Sequence, residues 1–198
     1  MKPYFTEVIK VYDGQFVNLQ PHIDRINHTM QTFFNTTFPV DLYAQEIPIG
    51  YRAGLVKCRI VYSSQDVTVE YEKYRLRQID SLKLVYSDTI DYSFKYADRG
   101  VLNTLLEQKG ECDEILIVKN GYITDTSFSN VVFENESGLF TPSTYLLAGT
   151  KRQYLLQQGI ITEAEIKVEN IELYTKLYFI NTMIDIKDDL CIDIASLI

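Results

Sequence analysis

Positive charge is scarce in this sequence: 19 Lys and Arg stand against 27 Asp and Glu, a formal net charge of −8. Proteins that hold phosphate backbones do so with an excess of Lys and Arg, so nucleic acid is not an expected partner. A small anionic ligand remains compatible, because a local basic cluster can oppose the global charge. Cysteine is scarce too. Cys58, Cys112 and Cys191 lie far apart, with no Cys-x-x-Cys and no His-spaced partner, which argues against a disulfide framework and against a zinc site. No metal is expected. No apolar run is long enough to span a bilayer, and the opening MKPYFTEVIK lacks the regions of a secretory signal, so no membrane association and a cytoplasmic location are expected. The five prolines and nine glycines are scattered rather than gathered into a linker.

What is present is ample apolar material, 46% of the residues, arranged with the periods of strands and helices. Phe5 to Tyr12, Asp13-Gly14 and Gln15 to Leu19 read as a hairpin, because Asp-Gly suits the positive φ angles of a two-residue turn. Pro21 opens a helix that runs to Phe34, with Ile23, Ile26, Met30, Phe33 and Phe34 at helical spacing. Leu55 to Tyr62, Val67 to Tyr74 and Leu82 to Ser87 read as strands. In the second half, Asp98 to Lys109 reads as a helix, and Glu114 to Lys119 and Tyr122 to Thr124 as a hairpin around Asn120-Gly121. Asn130 to Glu134 reads as a strand that pairs onward through a turn at Glu136 to Gly138, Gly149 to Gln158 as a helix closed by Gly159, and Leu177 to Asn181 as a late strand. The expected class is α+β, in two small lobes of residues 1–90 and 91–198 joined near Thr89 to Ser93.

Six fragments carry a more specific signal: FTEVIKVYDGQ, HIDRI, FKYADR, DEILIVKNGYITDTSFSN, LLAGTKRQYLL and YFINTMIDI. Their order and spacing resemble the class IV aminotransferase family, the fold type IV pyridoxal-phosphate enzymes. That family includes branched-chain and D-amino-acid aminotransferases and 4-amino-4-deoxychorismate lyase. The resemblance implies two α/β lobes with pyridoxal 5'-phosphate between them, a homodimer, and a small anionic amine as substrate.

Such a cofactor needs a lysine, an acid facing the pyridinium nitrogen and a dock for the phosphate. Lys95, among Tyr92, Phe94 and Tyr96, matches the lysine, and burial among those rings would favour the neutral amine that attacks a carbonyl. Asp125 stands where the family places its ring-nitrogen acid, usually a glutamate. Arg25, in His22-Ile23-Asp24-Arg25-Ile26, matches the arginine that grips the phosphate, a task suited to a planar bidentate donor; His22 reads as structural, bonded within the helix start. Leu147-Ala148-Gly149-Thr150-Lys151-Arg152 resembles the family's Gly-x-Thr-Arg turn into a helix, with Thr150 and Lys151 as main-chain donors and Lys151 where threonine is common. Thr182 matches the last phosphate contact.

The reaction is read from finer detail. Lys95-Tyr96-Ala97-Asp98-Arg99 is similar to the lyase pattern, and the branched-chain enzymes carry a tyrosine where this chain has Gly100. Lys57 and Arg59, two apart on a strand, share a face and could meet substrate carboxylates. The resemblance therefore implies a lyase that releases 4-aminobenzoate and pyruvate on the way to folate. Its alternatives are an aminotransferase acting on branched-chain or D-amino acids, and a degenerate, non-catalytic member of the family.

Overall fold

The computed structural model describes residues 3–197. By its contacts the chain forms two units, one reaching to Leu76 with Phe94–Asp98 added, the other built from Arg77–Ser93 and the chain from Arg99 onward. The boundary read from sequence, between 90 and 91, falls inside the stretch Arg77–Ser93 that packs with the second unit. Its first strand, described below, is the reason. It pairs with a strand more than thirty residues later, a long-range choice that no local pattern announces.

The first unit is an antiparallel sheet with one helix. β1 (Phe5–Tyr12), β2 (Gln15–Phe16), β3 (Leu55–Tyr62) and β4 (Val67–Lys73) lie in the order β2-β1-β3-β4. Asp13 (φ 46°) and Gly14 (φ 78°) make the hairpin turn that Asp-Gly favours. The second arm of that hairpin is short, because α1 (Leu19–Phe34) already begins at Leu19. Pro21 sits in the helix's first turn, where its missing N–H costs nothing. Alternation puts Phe5, Ile9, Val11, Val56, Cys58, Ile60 and Tyr62 on one face, packed with Ile26 and Met30 of α1. Burying each of the Val, Ile, Phe and Met side chains among them contributes about 1.5–3 kcal/mol. Phe33 is 37% exposed, although its ring still packs on Phe5 and Phe94.

The second unit holds two sheets. β5 (Leu82–Tyr86), β6 (Glu114–Lys119) and β7 (Tyr122–Thr126) form one, with β5 parallel to β6 and α2 (Gly100–Leu106) in the crossover between them. β8 (Asn130–Asn135), β9 (Gly138–Pro142), β10 (Thr162–Ala164), β11 (Lys176–Ile180) and β12 (Cys191–Asp193) form the other, in the order β10-β9-β8-β11-β12. Val131, Phe133, Leu177 and Phe179 face the three-stranded sheet through Leu116, Val118 and Ile123. Val132, Tyr178 and Ile180 face the other way, against Leu155 of α3 (Thr150–Gln157). The period-two switch of side chains thus places α3 on the outer face of the five-stranded sheet. Among the described residues no helix is long and apolar enough to cross a membrane.

Candidate functional site

In the first unit, Lys95 lies half-buried at the centre of a three-residue turn, closed by Tyr96 N donating to Phe94 O at 2.9 Å, in a segment held against β1. Thr6 N donates to Lys95 O at 2.9 Å, Ala97 N donates to Tyr4 O at 2.9 Å, and Tyr96 bridges to Phe5. Phe94 and Tyr96 anchor it on either side, their rings 6.4 and 5.2 Å from that of Phe5, with Phe94 stacked on His28. The aromatic setting expected for the lysine is therefore a pair of anchors that hold its backbone.

Arg25 does not stand alone on its helix. Its Nε donates to Glu7 Oε2 at 3.1 Å and its Nη2 to Glu7 Oε1, while His22 Nδ1 lies 2.7 Å from the same Oε1. His22 is thus tied across to β1, a partner that the sequence did not indicate. Glu7 and His22 are fully buried and Arg25 is 16% exposed. Burial opposes the ionisation of Glu7, yet Arg25 and His22 outweigh it and hold the carboxyl down to about 2. Lys57 and Arg59 do share a face, the one turned from the apolar core. Lys57 is ion-paired with Glu72 of the neighbouring strand, and Arg59 sits opposite Glu70. A substrate carboxylate there would compete with glutamates already in place.

In the second unit, the tight connection between β7 and β8 is built by its own hydroxyls. Thr126 Oγ1 accepts from Ser129 N at 3.0 Å and meets Ser129 Oγ at 2.8 Å, and Arg99 Nη2 pins the turn through Ser127 O at 2.7 Å. Asp125 precedes this turn. Its Oδ2 accepts from the amides of Leu146 and Leu147, both at 3.0 Å, and its Oδ1 accepts from Asn130 Nδ2 at 2.8 Å. Three of the four or so lone-pair sites of a carboxylate are so occupied. Burial pushes Asp125 up to about 6, against the pull of those three donors and of Arg152.

The same Asn130 amide donates to Leu147 O at 2.9 Å, closing the loop that leads into α3. The first helical bond of α3 runs from Gln153 N to Gly149 O, so the amides of residues 150–152 precede the ladder. Thr150 is buried at this end. The Lys151 ammonium is committed to Asp185 at 2.7 Å, which leaves its main chain as the donor expected from sequence. Asp185 is opposed by burial yet held below its usual range by the hydrogen bond and charge of Lys151. Thr182 lies in the turn after β11, where Asn181 Oδ1 accepts from Met183 N at 2.8 Å and from Ile184 N at 3.1 Å. Asp125, Thr150 and Lys151 are thereby brought onto one hydrogen-bonded frame, and Lys151 ties that frame to the turn carrying Thr182. Arg152, Asp185 and Glu7 were not singled out from sequence. A surface groove on the first unit, lined by the hairpin tip and residues 43–52, contains none of the expected site residues.

Gly149 is dictated by this frame. A β-carbon built there would fall inside the contact radius of Asn130 Oδ1, and Asn130 is held by two hydrogen bonds. Gly149→Ala is expected to destabilise the chain by about 1–3 kcal/mol, the scale of overpacking a filled interior. Urea unfolding measures it, and an unchanged midpoint would mean that Asn130 yields at no cost.

Comparison with known proteins supplies the family. The family described as amino-transferase class IV matches residues 93–187. A Haemophilus somnus crystal structure named a "putative 4-amino-4-deoxychorismate lyase" is 34% identical, with a TM-score of 0.83 over 92% of this chain and 97% of that one. The chain belongs to the class IV aminotransferase family. Class IV enzymes depend on pyridoxal phosphate, so it is an enzyme of that kind. An uncharacterized Haemophilus influenzae protein is 34% identical over 186 residues, 92% of this chain and 98% of that one. A hypothetical aminotransferase from Mycobacterium tuberculosis in its PLP-bound form shares the fold, with a TM-score of 0.78 at 17% identity over 99% of this chain and 81% of that one.

The residues present suit the family's cofactor. Asp125 is a buried acid with acceptor capacity left on Oδ1, and Gly149 leaves the start of α3 without a β-carbon beside its leading amides.

Proposed function

We propose that this chain is a pyridoxal-phosphate-dependent 4-amino-4-deoxychorismate lyase, releasing 4-aminobenzoate and pyruvate. The observation that carries the choice is the 34% identity, over nearly the full length of both chains, to the Haemophilus somnus protein of that name. Gly100, which opens α2 where the branched-chain type has a tyrosine, is in keeping with it.

In this reading Lys95 holds the cofactor, Asp125 faces its ring nitrogen, and Arg25, the leading amides of α3 at Thr150 and Lys151, and Thr182 receive its phosphate. Held there, the cofactor would supply an electron sink for the carbon that bears the substrate's amine. Lys95 Nζ takes the proton from that carbon, the bond from the ring carbon to the enolpyruvyl oxygen breaks, and the ring becomes aromatic. The leaving enol takes up a proton as pyruvate, so the atoms of the substrate are divided between two products without oxidant or acceptor. Lys57 and Arg59 are the candidates for its two carboxylates, which would have to displace Glu72 from Lys57.

Transamination is the second reading, favoured by the family match itself. The two differ in what they consume. A lyase turns over with its substrate alone, whereas a transaminase given only an amino donor stops after one half-reaction, with the cofactor left as the amine. Incubating the enzyme and cofactor with 4-amino-4-deoxychorismate, without keto acid, is expected to give pyruvate over many turnovers. No pyruvate above the uncatalysed rate, with amine-form cofactor accumulating on an amino acid, would sink the lyase.

A further inference from the structure

We infer that Glu7 is the positioning residue for the phosphate-gripping arginine: a fully buried carboxylate on β1 that fixes the guanidinium of Arg25 in one orientation. This rests on the reading of Arg25 given above. A carboxylate removed from water is costly unless it is paired and hydrogen-bonded, and Glu7 occupies an inward strand position between Phe5 and Ile9, where an apolar residue would pack at no such cost. It is compensated by two donors from one helix, His22 and Arg25, a turn apart. The planar guanidinium carries its five N–H groups in a fixed fork. With Nε and Nη2 both bound to Glu7, the plane of the fork is set by that carboxylate, on the one member of the triad that keeps some exposure.

The neighbouring residue of β1 strengthens the case. Thr6 N holds the carbonyl of Lys95, so two consecutive residues of one strand set the lysine segment and the arginine. β1 is an inner strand of its sheet, paired along its full length with β3, and supplies a rigid base for both.

Two consequences of removing the charge compete. A freed guanidinium would carry more uncompensated charge and bind phosphate more tightly; a loosened one would have to be ordered again and bind it less tightly. Positioning predicts the second. Glu7→Gln is expected to weaken pyridoxal phosphate binding roughly tenfold to thirtyfold, the scale of an arginine's rotamer freedom. Binding of pyridoxal, which lacks the phosphate, should stay within about twofold, since the loss is confined to the phosphate grip.

Both compounds are titrated by absorbance against wild type, Glu7→Gln and Glu7→Asp, with a thermal melt of each. The aspartate variant keeps the buried charge and shortens its reach, so it tests positioning if the glutamine variant fails to fold; the same selective loss is expected. Unchanged or tighter pyridoxal phosphate binding in a folded variant overturns the inference, as does an equal loss for both compounds, which would make Glu7 a pin of the fold. A wild-type chain that prefers pyridoxal phosphate no more than pyridoxal removes the phosphate reading of Arg25, and this inference with it.

Discussion

Lys95→Ala is expected to leave a folded chain that has lost its covalent hold on pyridoxal phosphate and roughly 10⁴-fold or more of its turnover, since in the proposed reading one side chain would serve as both attachment and base. The fold should survive because its local contributions come from elsewhere. The main chain of residue 95 is held by Thr6 N, a bond that alanine keeps, and the flanking rings of Phe94 and Tyr96 remain packed on Phe5. Lys95 is half-buried, so its removal creates no closed cavity of core size. The near-visible band of lysine-bound cofactor should vanish, and borohydride treatment should no longer fix cofactor mass to the chain. A variant that keeps both the band and the reducible adduct would show that another amine holds the cofactor, and the central assignment would fall.

The parts of this molecule that were legible in the sequence are the local ones. Asp13-Gly14 and Asn120-Gly121 announce their hairpins because positive φ at both turn residues is a property of those few residues alone. The helix from Gly149 to Gly159 is legible for the same reason, with a small residue at its start and a φ of 65° at its end. The short strands β10 and β12 were not, because strands of three residues carry too little alternation to stand out and are stabilised by their neighbours in the sheet. The return of Phe94–Asp98 to the first unit was equally hidden, being a pairing with Phe5 some ninety positions earlier in the chain.

The site divides in the same way. Lys95, Asp125 and the Gly149 turn stand out by their place in collinear fragments, while what holds them is a matter of side chains distant in sequence. Asn130 and the loop amides of 146–147 lock Asp125, and Asp185 claims the ammonium of Lys151. Glu7 could have been found earlier. In the run Phe5, Glu7, Ile9, Val11 it is the single charged residue at an inward phase, and a charge there requires a partner.

Asp125 makes the chain's stability depend on pH in a direction opposite to that of Glu7. The folded carboxyl sits at about 6 and its ordinary value is 3.8, so between those limits the folded state binds more protons than the unfolded one and stability falls as pH rises. A shift of that size is worth about 3 kcal/mol, fully lost above pH ~6.5. Glu7, held at about 2, contributes stability that is present above its ordinary value of 4.5 and is lost as pH falls toward 2, so the two windows scarcely overlap. The cofactor-free wild type is therefore expected to lose urea resistance from pH 4 to 6.5 relative to Asp125→Asn, whose amide does not titrate. The same variant separates structure from function. An amide cannot supply the negative charge that keeps the ring nitrogen protonated, so Asp125→Asn should still bind cofactor at Lys95 while its turnover falls roughly 10²–10³-fold, the scale of losing one preorganised electrostatic group. Parallel stability curves for the two proteins between pH 4 and 6.5 would remove the buried-acid assignment. A variant within about threefold of wild-type turnover would leave Asp125 as a tie for the loop at 146–147 and take it out of the chemistry.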